Sequence, residues 1–177
     1  MARDDDDFVE FATASSSRLL HAAYLLTGDR HQAEDAVQTV LARTYAAWSR
    51  VRRDDAFAYT RAVLINYAKD RWRRPLREFS TDQVPETRVG EDFAEQVAQR
   101  QWLFAALGVL TPRERAVVVL RHYFDLPETD VARQLGISVG TVKSTNARAL
   151  GKVRVTTDRV IQVPRQRGHA SMSEGRP

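Results

Sequence analysis

Apolar positions near the start of the chain recur at three- and four-residue intervals, the period that brings side chains onto one face of a helix. From Phe8 to Leu26 they fall at Phe8, Phe11, Leu19, Leu20, Ala23 and Leu26; the serines at 15–17 weaken the middle, and Thr27-Gly28 ends the segment. Asp29 then caps a second helix, and Gln32 three residues on completes a capping-box pattern. Its apolar stripe is Ala33, Ala36, Val37, Val40, Leu41, Thr44 and Trp48, which leaves Asp35, Gln38, Thr39 and Arg43 facing outward. A polar connection, 49–55, leads into a third helix from Ala56 to Arg74. Asp54 or Asp55 caps its start, and Pro75 stops it by pushing Arg74 out of helical geometry. Phe57, Thr60, Leu64, Tyr67, Ala68 and Trp72 form the buried side, while Asn66, Lys69 and Arg73 share another face that ends among Arg71, Arg73 and Arg74.

The period lapses over 75–92, where two prolines, a glycine and mixed charge read as a linker. It resumes at Val97, 100–104, Leu107 and Leu110. Thr111-Pro112-Arg113-Glu114 is a strong helix start: a threonine cap, proline where its missing N–H costs nothing, and a glutamate closing the capping box. Val117, Val118, Leu120, Tyr123 and Phe124 follow as core positions. From Pro127 to Val153 the pattern is two helices joined at Gly136-Ile137-Ser138, with Ala132 small at their crossing and Val142 packing the second helix back. This spacing fits a helix-turn-helix, and an ordinary helical hairpin shares it. In the former case Ser138 caps the second helix, and Thr141, Lys143, Ser144, Thr145 and Arg148 face outward. The reading is therefore all-α: two small helical domains, 8–74 and 93–155, joined by a flexible 75–92 linker and followed by a disordered 156–177 tail.

Composition narrows the chemistry. The chain has no cysteine, which excludes disulfides, thiolate zinc sites and cysteine nucleophiles together. Its four histidines form no i, i+4 pair, so a histidine metal site is not expected. No phosphate-cradling glycine loop or nucleophile motif is present, and neither enzymatic activity nor a cofactor is expected. The net charge of +4 understates the basic character of most of the chain, because Asp4 to Asp7 concentrate acid at the amino end. A polyanionic partner follows from that asymmetry. The basic 56–74 helix with its interleaved aromatics suits nucleic acid, although basic residues near a helix carboxyl end also stabilise the helix dipole without a ligand. No apolar run approaches the roughly 20 residues that span a bilayer, and the acidic start is wrong for a signal peptide. The expectation is a cytoplasmic protein without membrane insertion.

Three ordered segments carry a resemblance. GDRHQAEDAVQTVLARTYAAW resembles region 2.2 of the extracytoplasmic-function (ECF) sigma factors, the minimal two-domain members of the sigma-70 family, and most of all their actinobacterial SigE-type branch. AFAYTRAVLINYAKDRWRR resembles their regions 2.3 and 2.4, and LTPRERAVVVLRHYFDLPETDVARQLGISVGTVKS resembles region 4. The resemblance implies a promoter-recognition subunit that binds core RNA polymerase through the β′ clamp helices and the β flap, reads two promoter elements and helps open the duplex. It assigns Asp35, Gln38, Thr39, Ala42 and Arg43 to core binding. The −10 element falls to Arg52, Arg53, Asn66, Lys69, Asp70, Arg73 and Arg74, and the −35 element to Ser138, Thr141, Lys143, Ser144, Thr145 and Arg148. Thr39 stands where the motif commonly has glutamate, and Thr145 where relatives often carry arginine. An anti-sigma factor is a further partner class that the resemblance implies. The competing class is a stand-alone helix-turn-helix regulator, which has no need of residues 29–74; a third reading makes that half a protein-interaction module only.

Overall fold

The computed structural model describes residues 2–73 and 106–161. The 75–92 linker, Arg74, the helix expected to begin near Val97 up to residue 105, and the tail from residue 162 lie outside the described residues. Those that are described form helices and turns, with no strand among them.

Helix α1, Ala2–Thr27, begins earlier than the apolar pattern suggests. Its first turns carry the acidic run, and carboxylates there favour the positive end of the helix dipole. Asp29 caps α2, Arg30–Ala46, by accepting from the Gln32 N–H at 2.7 Å. The expected return contact from the Gln32 side chain is replaced by one from Arg71, whose Nη2 donates to Gln32 Oε1 at 3.2 Å. Two 3₁₀ turns, Trp48–Arg50 and Arg53–Asp55, occupy the polar connection and run straight into α3, Ala56–Arg73.

These three helices bury Leu19, Ala22, Ala23, Leu26, Ala33, Ala36, Val40, Leu64 and Ile65 against one another. Alanine at so many inner positions lets the helix axes approach closely. Thr44 and Thr60 meet across α2 and α3 with their hydroxyls 3.3 Å apart. Each also donates to the carbonyl four residues back, so neither buried hydroxyl lacks a partner. At the amino end of α1, Phe8 and Phe11 each lie 5.1 Å from the Trp48 ring, and Phe8 also packs on Tyr45.

In the carboxyl-terminal half, α4 spans Pro112–Val118 behind the full Thr111/Glu114 capping box. It continues as a wider π turn, Val119–Tyr123, in which the Phe124 N–H reaches back five residues to Val119 O. Asp125 follows at φ 52°, a left-handed conformation that aspartate tolerates better than most residues. The chain then enters α5, Glu128–Leu135, and α6, Val139–Ile161. Helix α6 runs past Val155 to Ile161, so the first residues assigned to a disordered tail are helical.

The two halves share an apolar core that includes Leu25, Leu26, Ala68, Leu120 and Phe124. Leu20, read as part of the α1 stripe, is 37% exposed, whereas its neighbour Leu19 is fully buried.

Candidate functional site

The outward face of α2 matches the pattern. Asp35, Gln38, Ala42 and Arg43 are exposed and Thr39 is half-buried, while Ala33, Ala36, Val37, Val40 and Thr44 hold the opposite face in the core. Four side chains on one rigid, exposed helix face can dock on a partner without rearranging.

A second group gathers around the 3₁₀ turns and α3. Arg52, Arg53, Asn66, Asp70 and Arg73 are exposed, and Lys69 is half-buried. Several of these charges are already engaged. Arg53 pairs with Asp7 of α1 and lies 5.9 Å from the Trp48 ring centre, Arg52 sits 3.9 Å from Asp55, and Lys69 donates to Gln134 O at 3.5 Å. Nucleic acid would have to displace those partners.

Helices α5 and α6 form the helix-turn-helix. Gly136 sits at φ 69°, where a Cβ would be strained, and its N–H and that of Ile137 close α5 onto Ala132 O. Ser138 caps α6, its Oγ accepting from the Thr141 N–H at 3.1 Å. Lys143, Ser144 and Arg148 are exposed on α6 and Thr141 is half-buried. Lys143 Nζ lies 3.7 Å from Glu128, a partly solvated contact that leaves the ammonium available.

Thr145 corrects the sequence reading. It is only 5% exposed, because Val142, Thr145 and Ala149 follow each other at i, i+3 and i+7 on the core face of α6. It lies on the floor of the groove between α4 and α6, beside Thr111 and Arg113, and does not project outward. Arg113, which the pattern passed over as a mere capping-turn residue, lines the same shallow groove as Thr141 and Arg148. The signal for it was its place beside the cap that points toward α6, which only packing reveals.

Glu114 fixes that groove. Its side chain is almost fully buried, accepts from Thr111 N at 2.9 Å and meets Lys152 Nζ at 2.8 Å. The Lys152 contact, helped by the Thr111 bonds, holds its carboxyl below the usual range against the opposing effect of burial. A depressed carboxylate contributes stability that is complete above its unfolded-state value and lost as pH falls through the folded one. Gln at this position keeps a capping-box side chain but not the charge. Glu114→Gln is therefore expected to cost about 1 kcal/mol at pH 7, since Lys152 is partly exposed, and the deficit should shrink in acid. Thermal unfolding at pH 7 and at pH 4 checks this; a deficit that grows on acidification contradicts it.

Residues 11–78 match the family model "Sigma-70 region 2", and residues 100–153 match "Sigma-70, region 4". The RNA polymerase sigma-E factor of Streptomyces coelicolor is 43% identical over 150 residues, covering 84% of each chain. The chain belongs to the sigma-70 family. Within it, this is an RNA polymerase sigma factor of the ECF type, in the SigE-type branch. The ECF sigma factor SigL of Mycobacterium tuberculosis is 31% identical over 152 residues, covering 77% of this chain and 84% of the relative. Among solved structures, the sigma factor RpoE in complex with the anti-sigma factor NepR from Bartonella quintana superposes with a TM-score of 0.63 at 19% identity. That match covers 86% of this chain and 97% of the other. CnrH in complex with the cytosolic domain of CnrY gives 0.60 at 22% identity, covering 86% and 88%. At such identities the structures speak to the fold, which they share with this sigma factor. No helix among the described residues is long and apolar enough to cross a membrane.

Proposed function

We propose that this sigma factor divides promoter recognition among three surfaces, each on a rigid element. The exposed face of α2, with Asp35, Gln38, Ala42 and Arg43 and with Thr39 at its edge, docks on the β′ clamp helices of core polymerase. Arg52, Arg53, Asn66, Lys69, Asp70 and Arg73, continued by Arg74 beyond the described residues, engage the −10 element. Unstacking a base there costs a few kcal/mol, which aromatic and phosphate contacts must offset. Ser138, Thr141, Lys143, Ser144 and Arg148, with Arg113 added from the groove, engage the −35 element, and the region 4 half also meets the β flap.

The observation that carries this reading is the exposure of the α2 face in a chain that also presents a complete helix-turn-helix. A stand-alone regulator needs only the latter. RpoE, which shares this fold and was solved in complex with the anti-sigma factor NepR, supports an anti-sigma partner for this chain as well.

Gln38→Ala is expected to weaken core polymerase binding about five- to tenfold, the loss of one or two hydrogen bonds, while leaving the isolated fold and duplex −35 binding unchanged. Reconstitution with core polymerase, read by binding and by promoter-selective transcripts, tests it. A wild-type chain that neither binds core nor yields a selective transcript overturns the whole reading. Wild-type affinity in Gln38→Ala overturns the assignment of α2.

A further inference from the structure

The acidic first turns of α1 lie against the loop assigned to the −10 element. Phe8 and Phe11 anchor them: Phe8 packs on Tyr45 at 4.9 Å and on Trp48 at 5.1 Å between ring centres, and Phe11 on Trp48 at 5.1 Å. Asp5 and Asp7 stand three and four residues before these anchors, so the helical period puts their carboxylates on the anchored face. Tyr45 Oη donates to Asp5 Oδ1 at 2.7 Å, and Arg53 Nη1 pairs with Asp7 Oδ2. Arg53 lies at the same time 5.9 Å from the Trp48 ring centre. Asp6, between them in sequence, is exposed and is turned about 100° from each neighbour on the helix.

The two groups held in this way are the two kinds that single-stranded nucleic acid uses, a guanidinium for phosphate and an aromatic ring for a base. Tyr45 is 50% exposed, so its ring is open to a base, whereas Trp48 is buried beneath Phe8 and Phe11 and serves as their seat. A phosphate that reaches Arg53 must displace Asp7 and then lies beside a carboxylate of like charge. The Arg53 side chain is 54% exposed, and ion pairs this open to solvent are weak and salt-sensitive, so they exchange readily.

We infer that Asp5 and Asp7 are an internal competitor for the −10 strand, holding Tyr45 and Arg53 until nontemplate DNA replaces them, and that Tyr45 is a further stacking residue of that site. The inference deepens the −10 assignment of this loop and rests on it. The competitor is part of the same three-helix unit as the loop it covers, and its anchors Phe8 and Phe11 keep their seat on Trp48 when the two carboxylates let go. DNA therefore exchanges two polar contacts and leaves the packing of α1 in place.

Binding of the full chain to a fluorescein-labelled, random-sequence DNA single strand at low salt tests it. Asp5→Asn combined with Asp7→Asn should bind about three- to tenfold more tightly than wild type, the effect that two exposed polar contacts supply. That gain should shrink as salt rises, because screening weakens the competitor too. Asp6→Asn removes the same kind of charge but neither contact and should gain less than about twofold. Tyr45→Phe, which keeps the ring and loses the bond to Asp5, should gain about twofold, whereas Tyr45→Ala should weaken binding. Adding Arg53→Ala to the double asparagine variant should cancel its gain. No gain in that double variant, including binding too weak to measure in both chains, overturns the competitor, and so does an equal gain from Asp6→Asn, which would mark a general effect of net charge. If Arg53→Ala and Tyr45→Ala weaken binding while the aspartate variants change nothing, the −10 assignment stands and the competitor alone is overturned. If Arg53→Ala and Tyr45→Ala leave binding unchanged, the −10 assignment of this loop fails, and the inference with it.

Discussion

Leu19→Ala is expected to lower the unfolding free energy by about 2–5 kcal/mol, and Leu20→Ala, one residue on, by less than about 1 kcal/mol. Leu19 is fully buried among Ala22, Ala23 and Leu26, so truncation removes transfer energy and leaves a cavity that rigid helix packing closes only in part. Leu20 is 37% exposed and gives up far less surface to water. For a chain of this size each kcal/mol moves the melting temperature by roughly 2–4 °C, so a difference of about 1–5 kcal/mol should separate the pair by about 2–20 °C, with Leu19→Ala the lower. Denaturant or thermal unfolding of both variants decides it. Equal losses would mean that the face of α1 has been assigned wrongly.

That contrast also shows where sequence and structure part. Caps and turns were legible because their chemistry is local: Asp29, the Thr111/Glu114 box, Gly136 and Ser138 each act within one helical turn, and each sits where the pattern put it. The α2 stripe was legible because its apolar residues are unbroken and its outward residues polar. Leu20 was misread because two adjacent leucines lie 100° apart on a helix, and apolarity alone does not choose between them.

Thr145 was misread for the opposite reason. A small polar residue on a recognition helix invites an outward assignment, although its i, i+3, i+7 register with Val142 and Ala149 marks the core. Contacts between the halves carry no local signal at all. Phe124 reads as core in either case, and nothing in the sequence says that Arg18, more than a hundred positions earlier, is what stacks on it. Of the candidate surfaces, the α2 face and most of α6 could be drawn from the sequence, whereas the engagement of Arg53 by Asp7 and of Lys69 by Gln134 could not.

The largest functional effect is expected from Lys143→Ala combined with Arg148→Ala, which should reduce transcription from a −35-dependent promoter by about 10- to 1,000-fold while core binding stays intact. Each residue projects from the exposed side of α6, and a good bidentate base contact discriminates by roughly 1–3 kcal/mol. The salt dependence separates the two uses of these side chains. A residue on phosphate, once removed, weakens binding to all sequences alike and reduces the slope of log affinity against log salt by about 1; a residue on a base edge relaxes selectivity at one position. Lys143 is held near Glu128, so its loss also removes a weak tie between α5 and α6, and the unfolding curve of that single variant serves as its control. Thr145→Ala supplies the reference. At 5% exposure it sits on the floor of the groove that Arg113, Thr141 and Arg148 line, so it should shift stability while reaching DNA too little to set promoter selectivity. If Thr145→Ala changes base preference while the Lys143/Arg148 pair does not, α6 meets DNA through a different face. If the pair instead abolishes core binding, the division of labour between the two halves is wrong.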